Sequence, residues 1–351
     1  MNKIIIIGNG FDLAHGLKTS YHDFAENYLK KLHSENQGNA SLYKDNLVEM
    51  KLIREFGSQS HDLFKWFEQK QKDIIQLSSF WKKIISNPGY GWVDIETEFF
   101  QHMLYLIDNS RFRGIDSINE LNRSFGEIRK LLLKYLQEEE TRKEVEPYDD
   151  YIDLFTEGVT KNDKIYFINF NYTSTADKYC LKCREKLNLK YSNTQAYRDN
   201  KLNIKFKCSL VNNIHGSLRD ENIIFGIGDE YNERYVELKD SPYLHDILKY
   251  SKSFSYPLSK NYSELIRFID TTPKNTMVEV YGHSCGLSDR TLLKYIFQHQ
   301  NIKMIKLFYY KDPENFIKQS IDVWRHFDDS QTYRERLVHL EESITMPQFI
   351  T

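Results

Sequence analysis

Apolar residues fall along this chain in two kinds of run. The first kind is continuous. Ile4-Ile5-Ile6-Ile7 is an unbroken β-branched stretch that stops at Gly8-Asn9-Gly10, the pattern of a strand buried on both faces. Comparable signals predict strands over Lys3–Gly8, Lys164–Phe170, Ile204–Ser209, Ile223–Phe225, Met277–Tyr281 and Lys303–Tyr309. The second kind is one-sided at helical spacing. Tyr21, Phe24, Ala25, Tyr28, Leu29 and Leu32 form one stripe behind Ser20 and Asp23, which read as a capping box. Trp92, Ile95, Phe99, Met103 and Leu106 predict another helix, with further helices over Ile118–Glu140 and Ala176–Leu187.

The strands are few and widely spaced. A long, mostly helical stretch, 40–150, separates the first two, and Pro147 marks the return to the sheet. The pattern predicts an α/β fold with a Rossmann-like parallel sheet. Residues 1–35 and 150–312 form its core, 36–149 a helical insertion, and 313–351 a helical tail that begins at Pro313.

Charge narrows the partners. The formal net charge of −2 over 351 residues supplies no global basic field for nucleic acid; local basic patches remain, for example around Lys182 to Lys190. The apolar start is too short for a signal peptide and no stretch approaches a membrane span, so a cytoplasmic location is expected. The four cysteines, Cys180, Cys183, Cys208 and Cys285, suit a reducing compartment. Cys180-Leu181-Lys182-Cys183 lacks the second pair of a zinc site, and no metal is expected.

Candidate chemistry sits where strands end. The first loop is not a dinucleotide fingerprint, because Leu13 stands where the third glycine belongs, and no Gly-Lys-Ser/Thr follows. Gly8 and Gly10 nevertheless suit close approach of backbone to a nucleotide phosphate. The stretch from Gly8 to Ser20 reads as a loop about twice the usual βα length of roughly 2–6 residues. Asn169-Phe170-Asn171-Tyr172-Thr173 makes a polar rim, in which Asn171 can donate and accept toward a ribose or a water; Thr173 or Ser174 also suits a helix N-cap. His215, in Asn213-Ile214-His215-Gly216, is a candidate general base. Phe225-Gly226-Ile227-Gly228-Asp229-Glu230 is a further glycine-rich strand exit. Gly282-His283-Ser284-Cys285-Gly286 reads as a backbone cradle for phosphate or ribose. It also matches the G-x-S-x-G nucleophile elbow, with Asp312 and His339 formally available as partners. Glu96 lies one turn from Trp92 on an otherwise apolar helix face, either with its head in water or directed into a cleft.

These separated motifs, in this order, resemble the bacterial abortive-infection AbiH family. The opening Gly8-Asn9-Gly10-Phe11-Asp12-Leu13-Ala14-His15-Gly16-Leu17 with Thr19-Ser20-Tyr21 is the most specific part. Trp92-x-x-Ile95-Glu96, Asn169 to Thr173, Ile214-His215-Gly216 and Gly282-His283-Ser284 follow. Their order is also similar to the sirtuin-like NAD-binding fold. That resemblance implies a nucleotide held by Gly8, Asn9, Gly10, Asp12, Asn169, Thr173, Gly282, His283 and Ser284, with Asn171 and His215 as catalytic residues. Three departures stand out. Thr173 occupies the position of an acid, Asn9 replaces an alanine, and the paired zinc cysteines of deacetylating sirtuins are absent. The implied activity is cleavage of the nicotinamide–ribose bond of NAD or a related nucleotide in an antiphage protein. The implied partners are that nucleotide and a homo-oligomer or defence protein. The alternatives are a non-hydrolytic nucleotide sensor and a serine hydrolase built on Ser284.

Overall fold

A strand with four consecutive isoleucines needs apolar cover on both faces, and the fold supplies it with helices on either side of a parallel sheet. The structure is a computed structural model and describes residues 1–38, 41–52, 62–109, 114–192, 211–226, 228, 238, 241 and 243–349. The main elements begin with β1 (Lys3–Ile7), α1 (Asn9–Ala14), α2 (Tyr21–Gly38), β2 (Leu42–Lys44), β3 (Val48–Lys51) and β4 (Ile74–Leu77). Next come α3 (Trp92–Asp108), α4 (Gly114–Arg142), α5 (Asp149–Thr156), β5 (Ile165–Asn169), α6 (Thr175–Ser192), β6 (Asn212–Asn213), β7 (Gly216–Ser217) and β8 (Asn222–Ile223). The last are α7 (Asn261–Thr271), β9 (Thr276–Tyr281), α8 (Arg290–Gln298), β10 (Ile302–Tyr309), α9 (Pro313–Trp324), α10 (Ser330–Arg336) and β11 (Ile344–Thr345). The chain divides into a sheet unit, Met1–Leu17 with Glu140–Ile224 and Ser255–Thr351, and a second unit, Lys18–Glu139 with Phe225–Phe254.

The sheet unit carries a six-stranded sheet of order β11-β10-β9-β1-β5-β6, every neighbouring pair parallel. From β1 the chain steps outward through β5 to β6, then returns to β9 on the other side of β1. Alternate residues of β1 serve opposite faces, as the two-residue strand period requires. Ile4 and Ile6 pack with Val278, Val280, Leu265 and Leu292. Ile5 and Ile7 pack with Phe167, Phe155 and Tyr179. A buried ion pair crosses the sheet, Lys3 Nζ to Glu279 Oε1 at 2.8 Å; burial pushes the Glu279 carboxyl above its ordinary range, against the pull of Lys3.

The second unit holds α2, α3, α4 and an antiparallel sheet β2-β3-β4. The Ser20–Asp23 capping box forms in both directions, Ser20 N–H to Asp23 Oδ2 at 3.2 Å and Asp23 N–H to Ser20 Oγ at 3.1 Å.

Several expectations change. The insertion is not wholly helical: β2, β3 and β4 lie within it, too short and unevenly buried to show as periodic runs. Helix α2 belongs to the second unit, because Phe24 packs against Trp92 and Tyr135 at ring separations of 5.5 and 5.8 Å. Residues 225–254 also join that unit. The tail is two helices plus β11, which pairs with β10. The Ile223–Phe225 signal is only the two-residue strand β8, hairpinned to β7. The Ile204–Ser209 strand and Cys208 lie outside the described residues.

Candidate functional site

The sequence motifs of the sheet unit meet at the carboxyl ends of β1, β5, β6 and β9. This edge holds the point where the strand order reverses, between β1 and β9, the usual place for a ligand crevice in an open α/β sheet. The glycines there pack against each other. Gly8 N–H donates to the Tyr281 carbonyl at 3.0 Å and Gly10 N–H to the Gly282 carbonyl at 2.8 Å. A Cβ on Gly8 would lie 2.5 Å from His283 Cα, one on Gly10 2.8 Å from Gly282 Cα, and one on Gly282 2.1 Å from Phe11 N. Gly282 also has φ +64, a conformation open to glycine at no steric cost. The expected long loop after β1 is half helix, since α1 starts at Asn9 and closes its first turn immediately. The loop-length reason for a function therefore lapses. Asn9 is half-buried and Ser284 exposed, and no described residue hydrogen-bonds either side chain.

The rim after β5 is a hydrogen-bonded brace. Asn169 Nδ2 donates to the Thr173 carbonyl at 3.2 Å and to Asn213 Oδ1 at 2.8 Å. Asn171 Nδ2 donates to the Gly8 carbonyl at 3.0 Å, and no described residue donates to Asn171 Oδ1. Thr173 Oγ1 donates to Asp12 Oδ2 at 2.7 Å, while the buried Asp12 Oδ1 has no partner among the described residues. Burial raises the Asp12 carboxyl to about 6, and hydroxyl contacts from Thr173 and Thr175 only partly offset it.

Beside this brace, two histidines flank one buried carboxylate. Asp289 Oδ1 lies 3.2 Å from His215 Nε2, and Asp289 Oδ2 lies 3.5 Å from His283 Nε2. His283 Nδ1 accepts the Cys285 N–H at 2.9 Å, so in its neutral form the ring proton sits on Nε2, facing Asp289. The Phe170 ring packs on both imidazoles, with centroids 5.1 Å from His215 and 4.2 Å from His283. Tyr256 Oη lies 3.5 Å from His215 Nε2. A buried His–carboxylate pair can orient an imidazole and balance its charge when it takes a proton. Asp289 was not among the sequence-predicted residues. The only signal was its place in the Leu287-Ser288-Asp289 turn after the Gly282 motif; its partner His215 comes from a distant segment.

The family model for bacteriophage abortive infection AbiH matches residues 4–311. The chain belongs to the AbiH family. No curated protein and no solved structure matches it. The candidate residues of this AbiH protein from Gly8 to Asp289 lie within the matched stretch, whereas Asp312, His339, α9, α10 and β11 lie beyond it.

The elbow-like features of this AbiH chain do not assemble into a serine triad. The residue with positive φ is Cys285, at +53, not Ser284. Cys285 is buried, and burial holds its thiol well above the ordinary cysteine range. Its carbonyl accepts from His326 Nε2 at 2.8 Å. His326 is itself buried, which lowers its pKa to about 4. Asp312 caps α9, accepting the Asn315 N–H at 3.0 Å. Glu96 is buried in the second unit, where Lys252 Nζ lies 3.1 Å from its Oε1 and the Gly226 N–H donates to Oε1 at 3.0 Å. Cys180 and Cys183 are buried on α6. Among the described residues, no group of three or more His, Cys, Asp or Glu is placed to hold a metal, and no helix is long and apolar enough to cross a membrane.

Proposed function

We propose that this AbiH protein hydrolyses the nicotinamide–ribose bond of NAD, or of a related nucleotide, at the carboxyl edge of its parallel sheet. Depletion of that nucleotide would be its route to abortive infection. The observation that carries the reading is the His215–Asp289 pair, buried beside the Asp12–Thr173 brace at the strand-order reversal. In the reaction the bond from ribose to the pyridinium nitrogen breaks and its electron pair neutralises the ring. A water oxygen bonds to the ribosyl carbon and His215 takes the water's proton. Asp289 orients His215 and balances the imidazolium. Asn171 Oδ1 orients the water. Asp12, ionised at neutral pH, faces the oxocarbenium-like charge on the ribose. With the Gly8 and Gly10 N–H groups spent between loops, Asn9 and Ser284 are the side chains left to reach the nucleotide.

Nicotinamide release from NAD by the purified chain tests this, beside His215→Ala, Asn171→Ala and Asp289→Asn. Wild-type release that the histidine variant lowers by roughly a hundredfold or more is expected. Absence of both turnover and thermal stabilisation by NAD or ADP-ribose, with and without phage lysate, would sink the reading. Stabilisation without turnover would favour the second reading, a nucleotide sensor. Thr173 in the acid's position and the internally spent backbone donors support that reading.

A further inference from the structure

Helix α9 presents an apolar stripe that its own unit leaves uncovered. Phe316, Ser320 and Val323 point inward and are buried. Ile317, Ile321 and Trp324, spaced i, i+4 and i+7, share another face and are 56, 53 and 46% exposed. The Trp324 ring is held in place, its Nε1 donating to Ser330 Oγ at 3.1 Å. Three large apolar side chains on one short helix form a patch of the kind that marks an interaction site.

The charges beside the stripe identify what covers it. Glu314 and Arg325 are both exposed, and at about 100° per residue they lie on the same flank of the helix, roughly 16 Å apart along its axis. Lys318 and Asp322 lie on that flank between them. A second α9 laid antiparallel across the stripe, related by a two-fold axis near Ser320, brings like flanks together. Glu314 of one copy then meets Arg325 of the other, and Lys318 meets Asp322. In the same register Ile317 meets Trp324, and Ile321 meets its own copy. The surface is thus self-complementary in charge and in apolar content, which is the requirement of an isologous interface.

We infer that α9 is the contact surface of a two-fold homodimer of this chain. Sedimentation equilibrium at micromolar concentration tests it. The wild-type chain sediments at twice its 42.0 kDa mass, and Ile321→Asp, an exposed position, reverts to the single-chain mass with an unchanged far-ultraviolet circular dichroism spectrum. Glu314→Arg and Arg325→Glu each weaken the dimer about tenfold, since each places two repulsive pairs across the axis. The Glu314→Arg/Arg325→Glu double variant recovers wild-type affinity. A wild-type chain that stays at single-chain mass overturns the inference. So does a dimer indifferent to Ile321→Asp, or a double variant no tighter than the single ones.

Discussion

Asp12 is buried with a half-satisfied carboxyl, and this gives stability a defined pH dependence. Folded, it keeps its proton up to about pH 6; unfolded, it releases it near 3.8. Between those values the native state binds the extra proton, so this residue's contribution falls as pH rises, by on the order of 3 kcal/mol in all. His15 and His326, whose pKa values are lowered to about 4 by burial, act in the opposite sense. They are common to wild type and variant. Urea unfolding of both proteins from pH 4 to 8 should therefore show Asp12→Asn gaining on wild type as pH rises. A constant difference would place the carboxyl in its ordinary range. At the glycine interlock, Gly282→Ala is expected to cost on the order of 4 kcal/mol, from positive φ and backbone overlap together. Gly89→Ala, where nothing lies within 4 Å of the new methyl, should stay within about 0.5 kcal/mol in the same thermal melts. His215 and Asn171 could be singled out in the sequence because each follows a strand signal. Asp289 could not, because nothing in its local spacing ties it to His215; only the sheet order does.

At the scale of elements, legibility followed burial. Strands β1 and β5 are buried at every position and β9 at all but Met277, whereas β10 is buried at four of its eight positions; apolar runs, broken by Glu279 in β9 and by Lys303 and Lys306 in β10, announced all four. Strands β6 and β11 are two-residue edge pieces with no apolar run to read. Helix α1 hid behind its glycines. β11 and the residues after it also fasten α1: the Phe349 N–H donates to the Ala14 carbonyl at 2.8 Å, the Phe349 ring stacks on Tyr148 at 3.6 Å, and Tyr151 Oη donates to the Pro347 carbonyl at 2.7 Å. A chain stopped after Ser343 should show faster amide exchange in Asn9–Ala14, measured by mass spectrometry, with β5 protected as before. Unchanged exchange in α1 would mean the tail contributes nothing to it.

At the scale of the whole molecule, the return of 225–254 to the second unit was invisible in the sequence, since that segment follows the sheet motifs without a break. It is tied there by the Glu96–Lys252 pair. Glu96→Gln strips a carboxylate from a buried lysine and should cost the second unit on the order of 3 kcal/mol. The loss would appear as accelerated exchange in α3 with little change in β1; equal acceleration in both would show that the units unfold together. The central position of β1 has a different consequence, for biosynthesis. Lys3 pairs with Ile165 on one side and Met277 on the other. At roughly 5–20 residues per second, β1 leaves the ribosome roughly 14–55 seconds before its second neighbour. Until then an apolar β-branched run has an unpaired edge, a hazard for aggregation and a natural ligand for chaperones. The glycine interlock cannot close before Gly282 is translated, so the nascent chain passes through most of its own synthesis without a site.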